Sequence, residues 1–396
     1  MAEKVVRVGI AGLGIAARQI LGSIMTTEGA RLTAACDIRR DEVERFQKRY
    51  GVEGFTDLKE MCRSGSVDAV WVATPNDLHA EHTVIVADSG KHVICEKPMA
   101  ISMAEADRMV EAVERNGVCY VQGHSRIHRP YTKKMGEIVA SGRLGKVIHV
   151  TALMYNDWIQ RPWESHSVDP QRGGGVVFRQ GPHQLDVVRY LAGGMGRSVR
   201  ATTGKWQPAY QVEADYWAHM DFEDGASSLI GFNGYGYFDI CELTWGIGEG
   251  GRVKSEQEML GPKRVGDGPI SAQEFYNLPQ YSLETFEESD RKRSERKQDF
   301  FGLFIVSCER GAIRQSPQGL YVYTKDGREE VLMSPKELKA GEIQALVDAV
   351  LGGKPSFPDA RWGRATLEAC IAMVESSRER REIPLKHQVP SPVRGK

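Results

Sequence analysis

Short apolar runs alternate with stretches of helical period through the first part of the chain. Val5-Val6-Arg7-Val8-Gly9-Ile10-Ala11 reads as a buried strand, and the residues through Met25, after a glycine turn, read as a helix. Arg31-Leu32-Thr33-Ala34-Ala35-Cys36, Val67-Asp68-Ala69-Val70-Trp71-Val72-Ala73, His92-Val93-Ile94-Cys95 and Gly117-Val118-Cys119-Tyr120-Val121-Gln122 repeat the strand pattern, with helical stretches between them. This alternation predicts a parallel, doubly wound sheet with right-handed crossovers.

The pattern then changes. Residues 147–154, 200–205, 214–222, 226–232, 311–314 and 319–324 read as longer strands, with Asp224-Gly225 and Asp326-Gly327 as turn signals. Helices are expected over 182–191, 335–351 and 360–380. The expectation is α/β overall: an N-terminal Rossmann dinucleotide-binding domain over 1–123 and a C-terminal α+β domain over 124–396 with a large, mostly antiparallel sheet. The charged stretches 263–267 and 284–298 look like an insertion, and the tail 384–396 is expected to be mobile.

Composition narrows the class. The chain has 396 residues, long for one core, and 41% of them are hydrophobic, with a formal net charge of −1. That describes an ordinary soluble protein without the basic excess of a nucleic-acid binder. The run Arg291-Lys292-Arg293 is interleaved with Glu287, Glu288, Asp290 and Glu295 and reads as a solvated helix. Seven cysteines with no C-x-x-C argue against a disulfide framework or a structural zinc site, and the scattered histidines offer no metal-ligand spacing. No apolar run is long enough to span a bilayer and no secretory pattern is present, so cytoplasmic residence is the expectation.

Three motifs carry chemistry. Gly12-Leu13-Gly14-Ile15-Ala16-Ala17 is G-x-G-x-x-A between a strand and a helix. Gly12 permits a tight turn, Gly14 lets backbone approach a pyrophosphate, and the helix N-terminus at Ile15 and Ala16 offers N–H groups to the phosphates. Asp37 ends the second strand roughly twenty residues on, where a carboxylate accepts from the adenosine ribose and favours NAD, while Arg39 and Arg40 leave NADP open. Glu96-Lys97-Pro98 closes another strand, at the sheet edge where ligands of such folds bind. An isolated lysine before a turn proline is a loop feature; after a dinucleotide signature, Lys97 is placed to move an alcohol proton during hydride transfer. A tight functional turn here predicts a cis Lys97–Pro98 bond.

Together with Thr74-Pro75-Asn76-Asp77-Leu78-His79, Gly142–Val147, and Gly173-Gly174-Gly175 followed by Gly181-Pro182-His183-Gln184-Leu185-Asp186, these motifs make most of the chain resemble the Gfo/Idh/MocA family, that of glucose–fructose oxidoreductase and inositol dehydrogenase. The resemblance implies an NAD(P)-dependent oxidoreductase. It places Gly12, Gly14, Ile15, Ala16, Asp37, Arg39, Thr74, Asn76, His79, Glu96, Lys97 and Arg126 at the cofactor, with Glu96 fixing its nicotinamide side. Lys97 is implied as the main proton-transfer residue and His183 as its catalytic partner. It also implies a homo-oligomer, dimer or tetramer, through the open face of the C-terminal sheet.

One departure bears on substrate. Arg179 stands four residues before His183, where the family generally has an aspartate, and installs a fork of donors suited to a carboxylate. Trp158, Trp163 and Arg161 add aromatic and basic groups, for stacking on a planar ring and for a second carboxylate; packing in a core or interface loop is the other reading of the tryptophans. The variant Phe178-Arg179-Gln180-Gly181-Pro182-His183 resembles the phthalate 4,5-cis-dihydrodiol dehydrogenase branch, which implies a small anionic substrate, a carboxylated aromatic cis-dihydrodiol oxidised to a catechol. A sugar or inositol dehydrogenase, a reductase working in the opposite direction, and a non-catalytic NAD-bound regulator stay open.

Overall fold

The computed structural model of the protein describes residues 4–123, 126–263, 266, 268–278, 285, 297–333 and 341–394. They divide into two units. The first takes residues 4–123, Thr285 and 341–367; the second takes 126–278, 297–333 and 368–394.

In the first unit, six short strands are β1 (Val6–Ala11), β2 (Ala30–Cys36), β3 (Glu53–Phe55), β4 (Ala69–Val72), β5 (His92–Cys95) and β6 (Tyr120–Gln122). They pair in parallel in the order β3-β2-β1-β4-β5-β6. The strands are apolar because helices cover both faces of such a sheet; Val8, Ile10, Val70, Trp71, Val93 and Ile94 are fully buried. This is the strand order of the doubly wound dinucleotide-binding fold, which places its ligand crevice where the winding reverses, at β1 and β4.

The two-piece division at 123/124 needs correcting. The helix Glu342–Gly352 returns to the first unit and adds Ile343, Leu346 and Val347, one face at i, i+3 and i+4 spacing, to the core of Val6, Val8, Ile10 and Ile20. Each such side chain stabilises by ~1.5–3 kcal/mol when fully buried, so the sheet is completed by sequence far from its strands. The helix begins at Glu342; the earlier part of the expected span, 335–340, lies outside the described residues.

The second unit is built on β7 (Val147–Tyr155), β8 (Gly196–Gly204), β9 (Asp215–Phe222), β10 (Ser227–Asn233), β11 (Leu303–Cys308), β12 (Gly311–Ser316), β13 (Gly319–Thr324), β14 (Gly327–Leu332) and β15 (Ile383–Pro384). Their order is β14-β13-β12-β11-β7-β10-β9-β8-β15, and every pairing is antiparallel except β7 with β10. Period-two burial makes the sheet two-faced. Val150, Ala152 and Met154 of β7 share a core with Met135, Leu185 and Val188 from the helices Pro130–Ala140 and Gly181–Ala192. On the other face Ile148 and Leu229 are exposed, and Thr151, Leu153 and Tyr155 half-buried.

The tail, expected to be mobile, is tied to the second unit by pairing and hydrogen bonds over its described length. Ile383 and Pro384 pair with β8, Ser391 Oγ donates to the Tyr190 carbonyl at 2.7 Å, and Glu368 accepts from the N–H groups of Lys386 and His387 at 2.6 and 2.9 Å. Of the expected insertion, residues 264, 265, 267, 284 and 286–296, including Arg291-Lys292-Arg293, lie outside the described residues. No helix among the described residues is long and apolar enough to cross a membrane.

Candidate functional site

The parallel register aligns the first unit's motifs. Gly12 N–H donates to Cys36 O, Ala73 N–H to Ala11 O and Glu96 N–H to Val72 O, at 2.8, 2.8 and 2.9 Å. Asp37, Gly12, Thr74 and Lys97 therefore follow the carboxyl ends of β2, β1, β4 and β5 along one edge, spread over three strand spacings of roughly 4.8 Å each.

At the centre of this edge the backbone comes too close for a side chain. Gly12 has φ +89°, and a Cβ there would lie 2.7 Å from Ala73 O and 2.9 Å from Thr74 N. The helix Ile15–Thr26 starts at Gly14 with no side-chain cap and no acid in its first turn. Gly14, Ile15 and Ala16 are half-buried while Ala17 is fully buried against the sheet. An uncapped, partly exposed helix start behind a turn that admits no Cβ fits a pyrophosphate.

Asp37 is more heavily engaged than expected. Oδ1 accepts from Arg39 N and Nε, both at 2.9 Å; Oδ2 accepts from Leu13 N at 2.8 Å and Arg39 Nη2 at 2.9 Å. Those four bonds fill the acceptor sites of a carboxylate. Burial alone would raise its pKa, but the Arg39 fork and the two N–H groups outweigh it and hold the carboxyl below its usual range. Asp37 thus fixes the glycine turn through Leu13, and Arg39 lies back on Asp37.

The β4 and β5 ends are tied together by His79, whose reading as a cofactor contact is corrected. It is 1% exposed, with Nδ1 2.7 Å from Pro98 O and Nε2 2.8 Å from Thr74 O. Burial drives its pKa down to about 4 against the pull of these two carbonyls, so the neutral ring donates to one of them. Its role is to hold the Thr74 and Pro98 loops together. His82 Nδ1 lies 3.0 Å from Thr74 Oγ1, and Asn76 opens the turn that follows. The Lys97–Pro98 bond is cis, as expected. Lys97 is half-buried between the buried residues Glu96 and Pro98. Its N–H donates to Glu96 Oε2 at 3.3 Å; burial raises the Glu96 carboxyl to about 7 against the opposing charge of Lys97, with Glu342 adding to the rise.

In the second unit, His183 and Arg179 sit on successive short helices, Gly181–Ala192 and Val176–Arg179. His183 is 4% exposed; Arg179 is half-buried, its guanidinium 5.3 Å from the Trp163 ring centroid. Trp163 donates from Nε1 to Trp158 O at 2.7 Å, and the two indoles lie 4.9 Å apart.

Three expected contacts are not supported. Trp158 is fully buried, with Gly234 packed on its Cβ, so it belongs to the core beneath Trp163. Arg161 reaches the exposed Asp157 four residues earlier at 2.9 Å, an ordinary surface pair. Arg126 is buried, Nη1 on Asp299 at 3.0 Å and Nη2 on Glu249 at 2.8 Å, and is committed to those carboxylates rather than to a cofactor. Sequence reading passes over Glu249, Asp299 and Phe301; the only signal is the aromatic pair Phe300-Phe301 before Gly302.

A parallel 3-2-1-4-5-6 sheet with an anion-accepting first turn defines a dinucleotide-binding protein. Residues 6–124 match the oxidoreductase family with the NAD-binding Rossmann fold, and residues 132–238 match the GFO/IDH/MocA C-terminal domain. The chain is 28% identical over 380 residues to 1-carboxy-3-chloro-3,4-dihydroxycyclohexa-1,5-diene dehydrogenase of Comamonas testosteroni, covering 94% of this chain and 95% of that protein. A Bordetella bronchiseptica RB50 protein of known structure superposes with a TM-score of 0.84 at 35% identity, over 96% of this chain and all of that one. The WlbA dehydrogenase of Bordetella pertussis, solved with NADH and UDP-GlcNAcA, shares the fold at a TM-score of 0.69 and 21% identity, over 97% of this chain and 99% of that one. The chain belongs to the Gfo/Idh/MocA family and is an NAD-dependent oxidoreductase.

Proposed function

We propose that the protein oxidises a carboxylated cyclic cis-dihydrodiol to a catechol. The observation that carries this reading is the end-to-end likeness to the Comamonas enzyme, whose name contains both a ring carboxyl and a vicinal diol. Arg179 agrees with it. A half-buried guanidinium lying over an indole is held in place by that ring, and its planar fork suits a carboxylate.

The Gly12–Ala17 turn would hold the pyrophosphate, Asp37 and Arg39 the adenosine ribose side, and Thr74, Asn76 and Lys97 the nicotinamide side. A nicotinamide held there would supply the acceptor for the hydride of the carbinol carbon. Lys97 Nζ would take the hydroxyl proton, and His183, with two ring nitrogens able to accept and relay a proton, is proposed as a substrate-orienting group of the second unit. The ketone that results tautomerises, its ring C–H proton passing to solvent while the carbonyl oxygen takes one up, and the aromatic catechol formed drives the reaction forward. His79, by holding the Thr74 and Pro98 carbonyls, keeps the lysine turn in place. The apolar positions Ile148 and Leu229 on the open sheet face are proposed as part of a homo-oligomer contact.

Steady-state kinetics of NAD⁺ reduction with phthalate 4,5-cis-dihydrodiol test the assignment. Lys97→Met should lower turnover by ~10²–10⁴-fold with NAD affinity kept. Arg179→Ala should raise KM for the acidic diol by roughly ten- to more than a hundred-fold, the worth of one charged hydrogen bond. Near-normal turnover in Lys97→Met would sink the mechanism.

A further inference from the structure

Four groups with no part in the chemistry above converge on His183. The Phe301 ring lies 4.9 Å from the imidazole, at 65° to it. Arg126 Cζ stands 4.5 Å from the Phe301 centroid, so the guanidinium covers that ring. Arg126 is itself held on both Nη atoms, by Asp299 Oδ2 at 3.0 Å and Glu249 Oε1 at 2.8 Å, and Arg129 Nε adds a further contact to Asp299 at 3.2 Å. Phe301 is fully buried and Arg126 nearly so.

The backbone pins the aromatic residue as firmly as the side chains do. Phe300 N–H donates to Gly248 O at 3.2 Å. Gly302 takes φ +76°, and a Cβ there would collide with the carbonyl of Leu153, so only glycine lets the chain turn directly into β11. A planar cation gripped by two carboxylates has a fixed plane, and its attraction for the ring face fixes the ring. The imidazole therefore packs against a surface that cannot rotate away.

We propose that Glu249, Asp299, Arg126 and Phe301 form a positioning set that holds the His183 imidazole in its working orientation. The inference rests on the reading of His183 as a substrate-orienting group. The segment around Glu249 and Asp299, which matches neither family region, thereby acquires a function: it closes the second unit's catalytic histidine from behind.

The test uses full-length Phe301→Leu, Phe301→Tyr, Asp299→Asn and His183→Ala proteins, assayed for NAD⁺ reduction with phthalate 4,5-cis-dihydrodiol. Misorientation of one catalytic group costs up to ~10²-fold. Phe301→Leu and Asp299→Asn should lower kcat by roughly 10- to 100-fold and alter the pH profile, with NAD affinity unchanged; Phe301→Tyr, which keeps the ring, should restore turnover. In histidine-labelled protein, the imidazole resonance that His183→Ala removes should shift in both variants. Asp299→Asn leaves the aromatic core intact, so it serves if Phe301→Leu fails to fold. Wild-type kcat, pH profile and His183 resonance in both variants, with His183→Ala impaired, would overturn this inference alone. Wild-type turnover in His183→Ala would overturn the reading of His183 and the inference with it.

Discussion

Substituting Gly12 by alanine separates backbone geometry from chemistry. At φ +89° a non-glycine residue costs about 1–2 kcal/mol. The added Cβ would also lie 2.7, 2.8 and 2.9 Å from Ala73 O, Ala73 C and Thr74 N. All three are backbone atoms, so no rotamer change relieves them; the turn or the end of β4 must shift. A strained residue of this kind costs about 1–3 kcal/mol, or roughly 2–10 °C in melting temperature for a unit of this size. The same shift moves the N–H groups of Leu13 and Gly14. Losing one charged hydrogen bond, ~1.5–3 kcal/mol, weakens NAD binding by roughly 10- to 100-fold. Gly51→Ala is the control: φ is +66°, and a Cβ there meets no described heavy atom within 4 Å. It should lose about 1 kcal/mol of stability and bind NAD normally. Calorimetric NAD titration and thermal melts of both variants decide the matter. Wild-type NAD affinity in Gly12→Ala would refute the reasoning.

Two further outcomes follow from the charges around the sheet edge. The Arg39 side chain fills two of the four acceptor sites of Asp37, so Arg39→Ala frees them for a ribose and should preserve or improve NAD affinity and weaken NADP, whereas Asp37→Ala should weaken NAD far more than NADP; equal losses for both cofactors in either variant would contradict this pairing. Glu96, raised by burial from 4.5 to about 7, stays protonated in the folded state after it has ionised in the unfolded one, so its contribution to stability is full below pH 4.5 and is lost as pH rises toward 7. The loss amounts to about 3 kcal/mol at most, and Glu96→Gln should melt higher than the parent at pH 8 but not at pH 4; parallel melting curves across that range would count against it.

The parallel sheet was legible because buried strands bounded by helices leave a strong pattern, and the strand 319–324 of the second sheet falls where its residues predict. What escaped did so for identifiable reasons. The strand β14 is a polar edge strand, exposed along most of its length, so no burial pattern marks it. The strand β11 is apolar on both faces and follows a stretch without periodicity, where strand and core loop read alike. Helix Glu342–Gly352 shows its amphipathic face plainly, but no local signal says which core it joins. Among the site residues, Gly12, Gly14 and Lys97 stand at the strand ends and turn where their motifs place them, because those positions follow from backbone pattern alone. An aromatic–basic run looks the same whether it lines a site or packs: Trp158 takes the packing alternative, under Trp163, and Arg161 turns to Asp157. His79 was recognised as part of a motif, but only geometry shows that both ring nitrogens are engaged by carbonyls.

The central claim is that this chain oxidises an acidic cyclic diol through Lys97, with Arg179 reading the carboxylate. The most direct measurement is kcat/KM for NAD⁺ reduction across matched panels of carboxylated cis-dihydrodiols and neutral polyols, in the wild-type protein and in Arg179→Ala. The account predicts that the carboxylated diols are the better substrates and that Arg179→Ala costs them roughly ten- to more than a hundred-fold while leaving neutral diols little changed. A neutral polyol preferred by the wild-type enzyme, or equal losses for both panels in Arg179→Ala, would contradict it.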